Sequence, residues 1–388
     1  MTGRDGRSRR PGSARALHLP RDLHPVAWWL WAIGLAAYAS QTTNPWLLLL
    51  LCAVAALVVA ARRSDQPWAN AFKLYAVVAA FIVLTRVLFR IVFGSGDSGT
   101  VIWDLPEIPL PDFALGITLL GPVTREALLS GLYDGLRLGT IVLCLGAATA
   151  LANPKRLLRS VPPALYEIGT ALVVAVTVLP QLADSVRRVR AAQRLRPAPE
   201  STGFGRRTRR LRRFLVPVLE DALERSLALA AGMDTRGYGR AGEATPAQRR
   251  VTGGLMLAGL VGVCVGVYAV LDSTAPRLLA GPLLVVGLAL AIAGLVSAGR
   301  RVHRTFYRPD PWRWPESIVT LSGLAVAAAG WWVAHHDLAI AYPDVTLAPQ
   351  VSLAALAGVA VGLVPAVAAP PPRRLAADLP VPELQGAA

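Results

Sequence analysis

Apolar residues in this chain gather into long, nearly unbroken blocks, whereas a surface helix would space them at three and four. Nine blocks can be marked, at about 26–41, 45–61, 71–93, 131–152, 165–182, 251–271, 277–298, 317–334 and 350–370. Each is close to the roughly 20 residues that an α-helix needs to cross hydrocarbon. The pattern predicts an all-α polytopic membrane protein.

The basic residues between the blocks predict its topology. Arg4, Arg7, Arg9, Arg10, Arg15 and Arg21 precede the first block; Arg62, Arg63 and Lys73 follow the second; Lys155, Arg156 and Arg159 follow the fourth. Arg300, Arg301, Arg304, Arg308 and Arg313 separate the seventh and eighth. Alternate connections are poor in positive charge: Gln41–Asn44 and Leu271–Pro276 have none, and 94–130 has only Arg125 against Asp97, Asp104, Glu107, Asp112 and Glu126. Basic loops stay cytoplasmic, so the amino terminus is expected inside a bacterial plasma membrane. Block 165–182 breaks the alternation, because basic sequence flanks it on both sides. If it crossed, the 16 arginines of residues 183–250 would lie outside and every later loop would carry the wrong sign. The expected architecture is therefore about eight spanning helices, one embedded helix at 165–182 that does not cross, and two cytoplasmic amphipathic helices. Its sections are a basic tail at 1–25, membrane helices over 26–164, the embedded and cytoplasmic helices over 165–250, further membrane helices over 251–370 and a tail at 371–388. The first block, preceded by arginines, also has the look of a cleavable signal peptide. The second block starts only a few residues later, after Thr43-Asn44-Pro45, which favours a retained helical hairpin.

Composition narrows the function classes. Hydrophobic residues make up 54% of the chain and charged ones 16%, with mean hydropathy +0.47, which excludes a disordered chain. Cys52, Cys144 and Cys264 sit singly inside apolar blocks, without metal-ligand spacing. The net charge of +16 is almost all arginine, with Lys73 and Lys155 the only lysines. No G-x-x-x-x-G-K-[ST] phosphate loop is present, so the chain is not its own ATP-driven motor. No cofactor is expected. His335-His336-Asp337 is too short a cluster for a complete metal site. The run Arg206-Arg207-Thr208-Arg209-Arg210-Leu211-Arg212-Arg213 lacks the interleaved aromatics of a nucleic-acid surface and suits anionic lipid or an acidic partner. Arg86, Arg90 and Arg137 fall near the ends of spanning blocks, where pairing with Asp134 or snorkelling to the interface is expected.

Residues 183–250 carry two helical patterns. Leu182, Val186, Val189 and Gln193 form one stripe, with Arg187, Arg188, Arg190 and Arg194 on other faces, and Pro197 ends the helix. In the second pattern Pro217 suits a first turn, Leu219, Leu223, Leu227 and Ala230 form the stripe, and Glu220, Asp221 and Glu224 lie near the start. Arg236 closes it and Gly237 terminates it, as a left-handed cap requires. Each helix thus ends in an arginine followed by a breaker, Leu195-Arg196-Pro197 and Thr235-Arg236-Gly237. An arginine at a rigid end suits a carboxylate-lined groove on another protein, although arginine also favours helix ends with no partner at all.

Ala191–Arg196 and Glu224–Tyr238 resemble the two signature helices of the transmembrane (T) component of energy-coupling-factor transporters, the cobalt-transport permease family. Leu23-His24-Pro25, Thr43-Asn44-Pro45 and Leu179-Pro180-Gln181 are similar as well. The resemblance covers roughly residues 21–275. It implies a coupling subunit with two ATPase partners, a membrane-embedded substrate-binding subunit, and uptake of a micronutrient such as a vitamin or transition-metal ion. By the same resemblance, Arg196, Met233, Thr235, Arg236 and Gly237 are the ATPase-docking residues. Leu195 and Pro197 stand where the first motif has alanine and glycine, so Arg196 is the weaker match; Thr235 replaces alanine in the second. Residues 277–388 lie beyond the family form. The competing expectations are a membrane scaffold or sensor that docks partners without transport, and a lipid-linked transferase, for which only Asp97, Asp104, Glu107 and Asp112 supply clustered acids.

Overall fold

The computed structural model describes residues 21–64, 70–93, 99–106, 108–109, 118–160, 163–195, 205–238, 245–272, 277–300 and 310–372. The principal helices are α1 (Pro25–Ser40), α2 (Pro45–Arg62), α3 (Ala71–Phe93), α4 (Arg125–Leu151) and α5 (Pro154–Arg159), followed by α6 (Tyr166–Arg194) and α7 (Gly205–Asp234). After them come α8 (Pro246–Leu271), α9 (Arg277–Gly299), α10 (Trp314–His336), α11 (Leu338–Ala341), α12 (Leu353–Ala360) and α13 (Val364–Ala368). Between α3 and α4, β1 (Val101–Asp104) pairs antiparallel with β4 (Pro122–Thr124), and β2 (Ile108–Pro109) with β3 (Thr118–Leu119). Local chemistry sets several helix starts. Asn44 Oδ1 accepts from the Trp46 amide at 3.1 Å with Pro45 in the first turn, and Thr124 Oγ1 accepts from the Ala127 amide at 3.3 Å.

Seven described helices are long and apolar enough to cross a membrane: α2, α3, α4, α6, α8, α9 and α10. The all-α polytopic class holds, while the element boundaries differ from those expected. Helix α1 has 16 residues, about 24 Å at the helical rise, against a hydrocarbon core of about 30 Å. Block 350–370 is not one helix; α12, a 3₁₀ turn (Val361–Leu363) and α13 share it. Block 165–182 is no separate segment, since α6 runs unbroken through Pro180 to Arg194 over 29 residues. Helix α4 begins at Arg125, before block 131–152, because Thr124 supplies its cap.

The chain divides into two compact units, Met1–Leu157 with Pro309–Ala388, and Leu158–Arg308. In the first, α10 lies against α1 so closely that a Cβ on Gly34 would collide with the Gly323 carbonyl, and one on Gly323 would stand 2.5 Å from Trp31 Cα. Trp31, Leu35, Tyr38, Leu47, Leu48 and Leu51 are fully buried around this crossing. Polar bonds stitch the carboxy-terminal segment onto α1 and α2. Trp31 Nε1 donates to Gly362 O at 3.1 Å, Asn44 Nδ2 to Ile340 O at 2.9 Å, and Arg62 Nε to Ala366 O at 3.0 Å. At one end of this unit Arg21 reaches the buried carboxylate of Glu316 at 2.8 Å, and Arg156 reaches Asp310 at 2.9 Å and Asp22 at 3.8 Å. In the second unit α8 and α9 pack along a seam of small residues, where a Cβ on Gly262 would sit 2.8 Å from Gly287 Cα. Close backbone approach of this kind is how membrane helices gain contact without a hydrophobic driving force.

Candidate docking site

The two arginine-bearing ends belong to α6 and α7, and both helices lie in the second unit. In α6, Val186, Val189 and Gln193 of the expected stripe are half-buried while Arg187, Arg188 and Arg190 are exposed, but Leu182, the stripe's first member, is exposed. The sequence reading of α7 needs correction at its start. Pro217 lies inside a 30-residue helix rather than in its first turn, and Glu220, Asp221 and Glu224 are mid-helix residues. Arginine is a good helix former, and the run 206–213 carries the helix upstream past the proline, which forfeits one ladder hydrogen bond. The packed face also differs from the one expected. Leu219, Leu223 and Leu227 are 62%, 61% and 63% exposed, and it is Val218, with the half-buried Phe214 and Asp221, that turns inward.

Asp221 is the residue that sequence reasoning missed. Its carboxylate accepts from Arg188 Nη2 of α6 at 3.1 Å and from Arg225 Nη2 of its own helix at 2.9 Å. The Asp221 pKa lies below the usual carboxylate value. The largest cause is the buried Ser185 hydroxyl, which acts on the carboxylate without meeting full hydrogen-bond geometry; the charges of Arg225 and Arg188 follow. Two further contacts join the helices. Gln193 Nε2 donates to Arg213 O at 2.7 Å, and the Arg190 guanidinium stands 5.8 Å from the Phe214 ring centroid, within cation–π range. A separation of 33 positions between Arg188 and Asp221 hides this pairing from any local pattern.

The far end of α7 has the expected cap. Gly237 has φ 76°, the Tyr238 amide donates to Met233 O at 3.1 Å, and the Gly237 amide donates to Asp234 O at 2.9 Å. These are the two bonds of a Schellman motif, and they demand glycine because an L side chain is strained at that φ. Arg236 is the cap residue. Its guanidinium is exposed and makes no ion pair among the described residues, Thr235 is exposed beside it, and Met233 is half-buried behind it. Arg196 lies outside the described residues, as do the side chains of residues 206–210; Arg212 and Arg213 are exposed.

Other candidate chemistry has local partners. His335 and His336 direct Nδ1 toward the carbonyls of Trp331 and Trp332, at 2.8 and 3.0 Å, and both imidazoles lie against those indoles. Among the described residues, no three His, Cys, Asp or Glu side chains gather as a metal would need. Arg90 approaches Asp134 at 3.9 Å, and Arg137 donates to Ser40 O.

Fold and site define a multi-pass all-α membrane protein in which two amphipathic helices are joined by the Arg188–Asp221 ion pair and the second ends in the exposed Arg236. Residues 18–246, more than half of the chain, match the family of cobalt transport proteins, CbiQ, and the chain belongs to that family. It is similar to the energy-coupling factor transporter transmembrane protein EcfT of Leuconostoc gelidum subsp. gasicomitatum, at 28% identity over 194 residues, covering 44% of this chain and 71% of that protein. Membership makes it a membrane subunit of a transporter.

Proposed function

We propose that this chain is the coupling subunit of an energy-coupling-factor transporter for a micronutrient such as a vitamin or transition-metal ion. Two ATP-hydrolysing subunits dock on the ends of α6 and α7, and a separate membrane subunit binds the substrate. The amino terminus and residues 183–250 face the cytosol of a bacterial cell. The apolar half of α6 enters the bilayer without crossing, in keeping with the alternation of basic loops. The observation that carries this reading is the exposed Arg236 on a Schellman-capped end, fixed in direction by Gly237.

A guanidinium held on a rigid cap loses little freedom when it enters a carboxylate-lined groove. Closure of the two ATPases on ATP would draw the docked ends together. The clasp at Asp221 would pass that motion to both helices as one body, and α6 would carry it into the membrane. No bond chemistry is assigned to this chain.

The test is copurification in mild detergent. The wild-type chain should bring down two subunits with phosphate-loop sequences, and Arg236→Glu should release at least one. At an interface anchor of this kind, loss of about 2 kcal/mol or more corresponds to about 30-fold weaker association. Retention of both subunits despite charge reversal at 196 and 236 together would refute the docking assignment.

A further inference from the structure

Helix α3 carries two arginines, Arg86 and Arg90, inside a segment long and apolar enough to cross a membrane. Its last residue is Phe93, and the Leu120 amide donates to Val92 O at 2.8 Å, which ties that end to the strands before α4. Among the described residues β1 and β4 pair only with each other and leave open edges, which hydrocarbon does not tolerate. This end of α3 therefore marks a membrane boundary. Arg86 stands 7 residues before it, about 10 Å along the helix and so below the boundary.

The stems of both arginines have prepared seats on α4. A Cβ on Gly131 would stand 2.7 Å from Arg90 Cγ, and one on Gly135 would stand 3.2 Å from Arg86 Cβ. Both glycines are buried, so α4 presents bare backbone where the stems pass. The heads differ in what they meet. Arg90 approaches Asp134 at 3.9 Å, whereas the Arg86 guanidinium is exposed and makes no ion pair or hydrogen bond among the described residues. An ionisable group within a spanning helix marks a functional site by default. Like charges four residues apart also repel, and an outside anion on Arg86 relieves that repulsion.

The surroundings select the anion. Helical register puts Phe89 and Phe93 one and two turns from Arg86 toward the boundary, and Ile82 and Val78 one and two turns toward the middle of the bilayer. Phe89 and Phe93 are exposed with their ring centroids 5.5 Å apart, Val78 is exposed and Ile82 is half-buried. A small free anion would leave water to enter this apolar stripe, at high cost. An amphiphile meets both demands, its anionic group on the guanidinium and its chains along the stripe. The planar fork of arginine takes phosphate bidentately.

We propose that Arg86, with Arg90 above it, binds the phosphodiester of a membrane phospholipid whose acyl chains descend past Ile82 and Val78. The site lies outside both signature helices and does not depend on the coupling reading.

The full-length chain, purified in mild detergent and stripped of lipid, is titrated with phosphatidylglycerol, and the bound species are counted by native mass spectrometry. Arg86→Gln should hold the tightest lipid about 10-fold more weakly. Arg63→Gln, an exposed arginine at the end of α2, should match the wild type. Diacylglycerol of the same chain length and inorganic phosphate should each leave the site empty. Should Arg86→Gln fail to fold, Arg86→Lys takes its place: stem and charge remain, the planar fork is lost, and retention should fall below that of the wild type. Unchanged retention in whichever variant folds overturns the proposal, as does equal occupancy by diacylglycerol or inorganic phosphate. In native membranes, a photo-crosslinking amino acid at Phe89 should capture phospholipid. Capture of a partner protein there instead assigns Arg86 to a protein contact and overturns the proposal as well.

Discussion

Asp221 ties two helices through a single carboxylate, and its ionisation state therefore decides how firmly they are held. The Ser185 hydroxyl first, and then the Arg225 and Arg188 charges, favour the charged form, so the folded protein holds the group below its ordinary value. The sign follows from linkage. A carboxyl depressed in the folded state contributes above its unfolded pKa, about 3.9, and the contribution is lost as pH falls through the lower folded value. At neutral pH the clasp is fully formed. Asp221→Asn should then speed hydrogen exchange of the amides around 213–225, and the reciprocal pair Arg188→Asp with Asp221→Arg should restore slow exchange. Equal exchange in the wild type and Asp221→Asn would show that apolar packing alone holds the helices. The two ends of α7 differ in how much the sequence discloses. Arg236 and Gly237 form a local signal, because a glycine after the last polar turn foretells the positive φ that is found. Asp221 looks locally like a helix-start acid, and only the fold brings Arg188 of another helix to it.

At the scale of elements, hydrophobic runs announce the helices well, because crossing hydrocarbon demands length and apolarity together. They announce packed faces poorly. The stripe Leu219–Leu223–Leu227 satisfies the helical period yet is left exposed, since periodicity reports that a face is apolar and not what covers it. Close helix crossings are hidden for a related reason: a lone glycine in an apolar block does not name its partner. Gly34 and Gly323 meet backbone to backbone although 289 positions separate them. A side chain at either position must push α1 and α10 apart or distort Trp31. Gly323→Leu should destabilise the detergent-solubilised protein by about 1–3 kcal/mol, the usual cost of overpacking. Thermal unfolding followed by size-exclusion fluorescence measures it. Gly281, which has nothing within 4 Å of an added Cβ, provides the control: Gly281→Ala should leave the transition unchanged. Equal transitions for Gly323→Leu and wild type would mean that the α1–α10 contact is looser than its geometry shows.

In the whole molecule, the family match stops at residue 246, yet the segment that begins at Pro309 belongs to the same compact unit as the first 157 residues. Its anchoring is dense. Glu316, 1% exposed, accepts from Arg21 Nη2 at 2.8 Å; Trp31 bonds to Gly362 O, Asn44 to Ile340 O and Arg62 to Ala366 O. Sequence position makes residues 310–372 look like an appendage, whereas the contacts make them part of the core beside α1 and α2. A buried carboxylate left without its cation costs about 3–5 kcal/mol, and Arg21→Ala should lower the thermal transition accordingly, with Arg21→Lys recovering part of the loss. Removing residues 301–388 takes away the buried acid along with its surroundings and leaves Trp31, Leu35 and Tyr38 of α1 without cover. That chain should aggregate or be degraded after insertion. The anchoring contacts need no covalent link through 301–309, so coexpressed fragments 1–300 and 301–388 should associate in the membrane and copurify as a monodisperse species. Recovery of monodisperse 1–300 alone, with a wild-type transition, would show that the first two helices are stable without their carboxy-terminal partner. Failure of the fragments to pair while the intact chain is stable would show that the contacts depend on the tether.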